Sequence, residues 1–219
     1  MADFRIDYGL LYRLQDRVLQ IVFSKPTEFY LSGGTCLHRF YYEERYSDDL
    51  NLFTHESSTF PFTVRELKNR LSDRFELHIK AETRDFVRWE ILENRLKLQI
   101  DFINDRVRHF GEIKTVDDLP LDNPLNILTN KLTAVLSRDN PKDMFDIWTI
   151  SRNLPVQWGS ILKETQEKSH FQKSELIFRL ESFPISLLDR LDLVNPFQTE
   201  QFRNDLMEIV RLIVDSDGV

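Results

Sequence analysis

A short glycine-containing stretch in the N-terminal half of the chain has residue types suited to binding phosphate. Ser32-Gly33-Gly34-Thr35 follows an apolar segment, Phe29 to Leu31, and precedes a helical pattern. A helix that starts just after a strand offers unpaired backbone N–H groups and the positive end of its dipole. Glycines let the main chain approach a phosphate, and the Thr35 hydroxyl can add a hydrogen bond. Alone, the pattern favours a tight turn with Thr35 or Ser32 as a helix cap.

Two oxygen-bearing side chains follow on the next predicted strand. Asp49 and Asn51 are two residues apart, so both side chains leave the same face of a strand. Such a pair can share a divalent cation, and Mg²⁺ prefers a few carboxylates together with phosphate oxygens. The competing interpretation is a solvated strand entrance with acidic caps.

Asp101 is a third candidate on the polar face of an alternating strand, where it could approach Asp49. Bringing two carboxylates within ~4 Å costs several kcal/mol at an intermediate dielectric unless a cation lies between them. The grouping would therefore imply a metal or a raised proton affinity. An aspartate at a strand end is otherwise commonly a turn former.

The C-terminal half contains a set of alternating charges. Lys131, Arg138 and Lys142 lie close in sequence to Asp143 and Asp146, and these two aspartates, three residues apart, share one face of a helix. One interpretation is a lysine that clamps a triphosphate while an aspartate orients it or accepts a proton. The other is a helix pair with surface ion pairs worth at most ~1 kcal/mol each.

The elements that must position these residues can be read from periodicity and turn signals. Apolar spacing predicts helices over 5–24, 36–42 and 64–75, and a polar, proline-bearing loop over 57–63. Alternation predicts strands over 29–31, 50–53, 76–82, 85–92 and 95–104, with a tight turn at Asn94. After Pro120 the pattern is helical, with predicted helices over 125–138, 142–152, 157–169, 173–183, 185–193 and 199–214.

These elements predict a mixed α/β (α+β) fold. An N-terminal mixed β-sheet with flanking helices would occupy residues 1–118. A C-terminal helical bundle would occupy residues 119–219 and contribute Lys131 and Asp146 to a shared cleft.

Composition narrows the class of protein. The 219 residues carry a formal net charge of −7, which argues against indiscriminate coating of nucleic acid but leaves room for a local basic cleft. The single cysteine, Cys36, excludes an intramolecular disulfide framework. No apolar run approaches the ~20 residues needed to cross a bilayer, and Asp3 and Arg5 are charges where a signal peptide would be apolar. We therefore expect a cytoplasmic protein without a membrane partner.

Taken together, the three stretches resemble the AbiEii/AbiGii-type nucleotidyltransferase toxins of the DNA polymerase β-like superfamily. The family pattern is roughly a GGT-x-L turn, an R-x-S-x-D-hydrophobic-D strand and K-x-x-A-x-x-x-R-x-x-[KR]-D-x-x-D. Here these correspond to Gly33–Leu37, Arg45–Asn51 and Lys131–Asp146. Order and spacing match over about residues 28–150, and the joint match is more specific than any single block.

The resemblance implies Mg²⁺-dependent (or Mn²⁺-dependent) transfer of a nucleoside monophosphate from an NTP, with release of pyrophosphate. It implies an RNA acceptor, the 3′ end of tRNA above all, and a partner antitoxin. The triphosphate would be bound by Gly33, Gly34, Thr35, Ser47, Lys131, Arg138 and Lys142. Asp49, Asn51 and Asp101 would hold the metal, and the catalytic set would be Asp49, Asp101, Lys131 and Asp146.

One residue departs from the family pattern. Asn51 stands where the family usually has a second aspartate, so its oxygen lacks the negative charge that would lower the acceptor hydroxyl's proton affinity. Three explanations stay open: compensation by Asp48, a one-metal mechanism helped by Asp101, or a weakened transferase that binds nucleotide. Transfer to a protein or small-molecule hydroxyl, of a nucleotide or a phosphate, also stays open, because a fold does not determine its substrate.

Overall fold

A computed structural model describes residues 6–216, so the first residue of the helix predicted over 5–24 lies outside the described residues. The chain forms two compact units. The sheet unit comprises the residues up to Cys36 with Ser47–Arg106 and Ile113–Asp122, and the helical unit comprises Leu37–Tyr46, Val107–Glu112 and the residues from Asn123. Two segments that precede residue 118 thus belong to the helical unit. The boundary at 118/119 stays a prediction about independently folding domains.

The described part of the sheet unit is built on seven strands in the order β3-β4-β5-β2-β1-β7-β6. β2 runs parallel to β5 and antiparallel to β1, and β3, β4 and β5 form an antiparallel meander. Together with the helices, this confirms the predicted mixed α/β fold. The strands are β1 (Tyr30–Ser32), β2 (Asp49–His55), β3 (Glu76–Glu82), β4 (Phe86–Glu93), β5 (Leu96–Asp105), β6 (Lys114–Val116) and β7 (Leu119–Leu121).

One face of this sheet is apolar and covered by two helices, α1 (Tyr8–Val22) and α3 (Phe60–Ser72). Aromatic contacts connect the layers, because Phe102 of β5 lies 5.3 Å from Phe29 and Phe29 lies 5.9 Å from Phe60, between ring centroids. The sheet residues that face these helices are fully or almost fully buried: Leu50, Leu52, Val87, Trp89, Ile91, Leu98, Ile100 and Phe102.

Strand alternation places the polar residues of the same strands on the opposite face. Asp49 and Asn51 of β2 lie there, next to Gln99 and Asp101 of β5, as the parallel register pairs Asp49 with Gln99 and Asn51 with Asp101. The predicted alternation of β5 is therefore confirmed. We call this surface the polar face of the sheet.

Two sequence-based expectations need correction in the sheet unit. The predicted loop over 57–63 is in part helix, because α3 begins at Phe60 with a proline in its first turn, where the missing N–H is not needed. Strands β6 and β7 were not predicted. They are three residues each, and their turn is made by Asp117 and Asp118 at positive φ rather than by glycine, so neither length nor turn chemistry indicated them.

The helical unit consists mainly of helices that start at asparagine–proline pairs or follow prolines. Asn123 caps α4 by accepting a hydrogen bond from Asn126 N, and Asn140 caps α5 by accepting one from Lys142 N. The segment predicted as a helix over 185–193 is a 3₁₀ helix, Ile185–Arg190. The α-helices are α4 (Pro124–Val135), α5 (Pro141–Asn153), α6 (Trp158–Lys168), α7 (Lys173–Glu181) and α8 (Thr199–Asp215).

The segment Leu37–Tyr46, which belongs to the helical unit, is anchored at its end by backbone hydrogen bonds. Tyr46 N donates to Asp192 O at 2.8 Å and Val194 N donates to Glu44 O at 3.1 Å. Arg45, between them, forms a bridge with Leu193. The backbone of Arg45 is therefore held within this unit, which determines where its long side chain can reach.

Candidate active site

The chain turns from β1 into helix α2 (Gly33–Phe40) at Gly33, whose φ of +71° favours glycine. A Cβ here would lie 3.2 Å from Asn51 Nδ2, so a larger side chain would crowd β2. The first turn of α2, including Gly34 and Thr35, carries N–H groups without partners inside the helix. The glycine stretch is thus the start of a helix, a position that favours anions.

The hydroxyl groups of Thr35 and Ser47 hold the beginning of β2. Both residues are buried. The Thr35 hydroxyl donates to the backbone carbonyl of Asp49 and lies 2.9 Å from Ser47 Oγ. Ser47 N donates to the Tyr12 hydroxyl at 3.2 Å. These two predicted phosphate ligands therefore use their side chains inside the sheet unit, which leaves the backbone N–H groups of the turn for a phosphate.

Asp49 has a carboxylate with little internal hydrogen bonding. Its Oδ1 lies 3.4 Å from Ser47 Oγ, and this is the only hydrogen bond of the carboxylate among residues 6–216. Asp49 and Asn51 are both half-buried on the polar face. A carboxylate and an amide thus project from the same face of β2, close to the glycine turn.

Asp101 is in a different state. Arg88 of β4, its cross-strand neighbour, donates from Nε to Oδ1 at 2.8 Å and from Nη2 to Oδ2 at 2.7 Å. The hydrogen bonds that Arg88 donates to Asp101 raise the pKa of Arg88, and the charges of Asp101 and Asp49 add to this. Asp101 is only 5% exposed. One guanidinium therefore neutralises a buried carboxylate and engages both of its oxygens.

The helical unit gathers the other predicted residues around Asp146, which is completely buried. Its Oδ1 accepts hydrogen bonds from His38 Nε2 and Arg45 Nε, both at 2.8 Å. Its Oδ2 accepts from Arg45 Nη2 at 2.9 Å and pairs with Lys131 Nζ at 2.8 Å. Four donors therefore share one carboxylate.

Asp143 holds the same lysine from one helical turn away. Lys131 Nζ donates to Asp143 Oδ1 at 2.7 Å, and Arg138 Nε donates to Oδ2 at 2.6 Å. The lysine side chain is 13% exposed, whereas that of Arg138 is 57% exposed. Lys142, also predicted to bind phosphate, is half-exposed in the first turn of α5. The structure thus brings Lys131, Arg138, Asp143 and Asp146 together as one ionic cluster, in which only Arg138 is exposed.

The charges in this cluster stabilise one another against burial. Burial alone would raise the pKa of Asp146, but Arg45, Lys131 and His38 hold it well below its usual range. Burial opposes the charged form of Lys131, yet Asp146 and Asp143 raise its pKa above the ordinary value. Asp146 is consequently a very weak base, while Lys131 stays a cation.

His38 completes the cluster from α2. Burial lowers its pKa, against the opposing effect of the hydrogen bond to Asp146. With Nε2 bound to Asp146, Nδ1 has no hydrogen-bond partner among the described residues. A neutral imidazole that donates from Nε2 fits this environment, since its Nδ1 then carries only a lone pair.

Comparisons with known proteins identify the family of the chain. The model of the family described as nucleotidyl transferase AbiEii toxin, type IV toxin–antitoxin system, matches residues 17–215. The chain belongs to the AbiEii family. No curated protein matches it in sequence.

Solved structures show the same fold at low sequence identity. JHP933 from Helicobacter pylori matches with a TM-score of 0.65 and 17% identity, over 95% of this chain and 92% of its own. A putative nucleotidyltransferase from H. pylori matches at 0.59 and 20%, over 97% and 96%. MenT4, a nucleotidyltransferase toxin from Mycobacterium tuberculosis, matches at 0.65 and 13%, over 97% and 85%.

Membership of the AbiEii family makes the chain a nucleotidyltransferase toxin of a toxin–antitoxin system. The predicted family and enzyme class are thereby confirmed. The family generally uses an NTP and a divalent metal, and its type IV systems imply an antitoxin partner. Within residues 6–216 no helix is both long and apolar enough to cross a membrane.

The donor set of this AbiEii chain fits one cation better than two. Among the described residues, no group of three or more His, Cys, Asp or Glu side chains is arranged around a metal position. Of the three predicted metal ligands, Asp49 and Asn51 present open oxygens, whereas Arg88 engages both oxygens of Asp101. One carboxylate and one amide suit a cation that completes its coordination with phosphate oxygens and water.

Sequence reasoning missed three residues of these groups: His38, Arg45 and Arg88. Arg45 is the first residue of the R-x-S-x-D motif. A buried arginine needs an acidic partner, but the spacing of the motif did not show which acid this would be. Arg88 could have been found, because a two-residue turn at Asn94–Arg95 pairs Glu93 with Leu96 and, counting back along the hairpin, Arg88 with Asp101. His38 carried no signal beyond its place on α2.

Proposed function

We propose that this protein transfers a nucleoside monophosphate from an NTP to a hydroxyl of RNA, the 3′ end of tRNA above all. The acceptor oxygen forms a bond to the α-phosphorus, the bond from that phosphorus to the bridging oxygen breaks, pyrophosphate leaves, and the hydroxyl proton passes to solvent. The observation that carries the proposal is the open carboxylate of Asp49 beside the N-terminus of α2. Family membership supports the reaction type.

In this proposal the N–H groups of Gly33, Gly34 and Thr35 bind phosphate oxygens, and Asp49 and Asn51 hold the divalent cation. A bound Mg²⁺ would supply positive charge to the phosphate oxygens as the negative charge on the leaving group develops. Thr35 and Ser47 keep Asp49 in place through the contacts of their hydroxyls. The chain itself therefore supplies anion-binding dipoles and an anionic cation ligand on adjoining elements.

In the helical unit, Lys131 is the residue proposed to bind the NTP phosphates. An ammonium group has three donors, and two of those on Lys131 are used by Asp143 and Asp146 in the described structure. Arg138 and Lys142 add exposed positive charge. Asp146, predicted as a catalytic residue, is proposed instead to position Lys131 and Arg45. Its three hydrogen bonds, its ion pair with Lys131 and its low pKa leave it a poor proton acceptor. The proposal includes the action of Asp49 and Lys131 on the same NTP.

The test is a reaction with total tRNA, Mg²⁺ and each of the four α-³²P-labelled NTPs in turn. We expect label in tRNA and release of pyrophosphate with wild type, and loss of both with Asp49→Ala and Lys131→Ala. Arg106→Ala, which breaks an exposed bidentate pair with Asp85 in the same unit, is the matched control and should retain activity. Normal transfer by both Asp49→Ala and Lys131→Ala would contradict the assigned roles.

A second candidate is a nucleotide-binding member without turnover. Asn51 favours it, since an amide at that position gives a divalent cation one negative charge fewer than the family pattern. This candidate predicts NTP binding with no pyrophosphate release on any acceptor. Label found on a protein or on a small molecule, instead of tRNA, would keep the reaction type and replace the acceptor.

A further inference from the structure

A single row of polar residues crosses four strands of the sheet unit. The register places Ser32 of β1 beside Asn51 of β2, Asn51 beside Asp101 of β5, and Asp101 beside Arg88 of β4. Cross-strand neighbours point to the same face. The row therefore lies on the polar face, next to Asp49, and ends at the glycine turn.

The charges around Asp49 do not match those of a two-cation site. Two-metal sites hold cations about 3.5–4 Å apart, and carboxylates between the ions offset their mutual repulsion. Here Asn51 is uncharged, and the fork of Arg88 engages both oxygens of Asp101 at 2.8 and 2.7 Å. The formal charges of Asp49, Asp101 and Arg88 leave one net negative charge on this part of the face.

Arg88 is placed to do more than neutralise Asp101. Its side chain is 39% exposed, whereas that of Asp101 is 7% exposed, so the guanidinium sits at the surface and the carboxylate beneath it. Nε and Nη2 are used by Asp101, and Nη1 makes no hydrogen bond among the described residues. Arginine presents its donors in a planar fork that matches carboxylate and phosphate oxygens. One edge of Arg88 is thus committed to Asp101 and another stays available to an anion.

We propose that Arg88 supplies the positive charge that a second divalent cation would bring, so that the polar face binds one cation, on Asp49 and Asn51. Arg88 acts as a positioning residue: it holds Asp101 away from the metal and leaves Nη1 for a phosphate oxygen of the NTP. Asn51 contributes to the same effect, because an aspartate there would add one negative charge; a second cation would also need the charge of Asp101, which Arg88 neutralises. The inference rests on the proposed function, since it concerns the metal of that same site.

The experiment counts Mn²⁺ bound with a mixture of the four α,β-methylene NTPs, which cannot undergo transfer at the α-phosphorus. Electron paramagnetic resonance distinguishes an isolated Mn²⁺ from two ions coupled at the short separation of a two-metal site. We expect an isolated Mn²⁺ for wild type and for Asn51→Asp. We expect bound Mn²⁺ to double, with a coupled spectrum, in Asn51→Asp/Arg88→Ala.

The matched control is Asn51→Asp/Arg106→Ala, which removes an arginine with the same bidentate geometry from a different aspartate, Asp85. It should keep a single isolated Mn²⁺. Thermal melts of each variant ensure that only folded protein is compared. Two results would overturn the role of Arg88: a coupled Mn²⁺ pair in wild type or in Asn51→Asp, or a single ion in Asn51→Asp/Arg88→Ala. Either result would leave the transferase proposal standing. No bound Mn²⁺ in wild type would contradict the proposed function itself, and this inference with it.

Discussion

Asp49 in the sheet unit and Asp146 in the helical unit are both aspartates of the family motif, yet their surroundings are opposite. Asp146 is completely buried and accepts four hydrogen bonds or ion pairs from His38, Arg45 and Lys131. Asp49 is half-buried and has one long contact, at 3.4 Å, among the described residues. A carboxylate saturated by its own chain organises other side chains, whereas an open one is available to a ligand.

The difference also separates stability from activity. Buried ion pairs contribute little net stability when intact, but removing one partner leaves an uncompensated buried charge. A half-buried carboxylate such as Asp49, which no cation of its own chain neutralises, has no such role in folding. The two aspartates should therefore respond to the same kind of substitution in different measurements.

The largest expected effect is on the activity of Asp49→Ala. Loss of a metal ligand removes several kcal/mol of transition-state stabilisation, which corresponds to roughly a 1000-fold fall in transfer rate. The free energy of unfolding should change by no more than about 0.5 kcal/mol. Asp73→Ala, an exposed aspartate of the same unit, should change neither. A large loss of stability in Asp49→Ala would mean that this carboxylate is structural, like Asp146.

The next effect is on the stability of Asp146→Asn. The amide keeps the shape but leaves Arg45 without its counter-charge, so the free energy of unfolding should fall by about 3–5 kcal/mol in urea titrations. Asp85→Asn removes the counter-charge of the solvent-facing Arg106 and should leave the unfolding midpoint close to that of wild type. Equal midpoints for the two variants would show that the ionic cluster does not hold the helical unit together.

A smaller effect is expected at Thr35, on the sheet side of the comparison. Thr35→Val keeps the volume and removes the hydroxyl that bonds to the Asp49 carbonyl and lies against Ser47. A buried polar group left unsatisfied costs about 1–3 kcal/mol, and transfer activity should fall because Asp49 loses its anchor. Thr35→Ser restores the hydroxyl and should recover most of both. Full activity in Thr35→Val would show that Asp49 is positioned by other contacts.

The smallest effect concerns pH and the helical unit. The folded state lowers the pKa of His38 from its ordinary value of 6.5, chiefly by burial. Below pH 6.5, His38 is protonated in the unfolded chain but stays neutral in the folded chain. The free energy of unfolding should therefore decline as pH falls through 6.5 towards the folded pKa. His38→Gln should flatten this decline relative to wild type in urea titrations between about pH 8 and pH 5.5. His170→Gln, an exposed histidine, serves as the control, and an unchanged slope in His38→Gln would refute the burial argument.

Much of the fold could be predicted because its elements have strong periodic patterns. The meander from Glu76 to Asp105 matches the predicted strands to within one or two residues, since alternation and the Asn94 turn act over short distances. Most helices after Pro120 match for the same reason, although α4 ends three residues earlier than predicted and the segment predicted over 185–193 is a 3₁₀ helix. The short strands β6 and β7 were not predicted because each has three residues and their turn lacks glycine. The sheet contact of β7 is also distant in sequence, since Leu31 pairs with Leu121 across about ninety positions.

The candidate site divides in the same way. Motif spacing named Gly33, Asp49, Lys131 and Asp146 as candidate site residues, and their roles stay a prediction. The side chains that pair with each of these residues, and so determine its role, could not be identified from the sequence. Arg45 lies about a hundred positions from Asp146 in sequence, and spacing alone gave no reason to join them.

The sequence by itself thus determined the order of the elements, the polar and apolar faces of the strands, and the residue types that suit nucleotidyl transfer, because these follow from periodicity and from the chemistry of single side chains. Only the tertiary structure decided which carboxylates are neutralised. Whether an aspartate is a ligand or a structural counter-ion depends on the cations that folding brings within hydrogen-bond distance of it. For Asp101 and Asp146 these are Arg88, Arg45 and Lys131, whereas the carboxylate of Asp49 has no cation within that distance among the described residues.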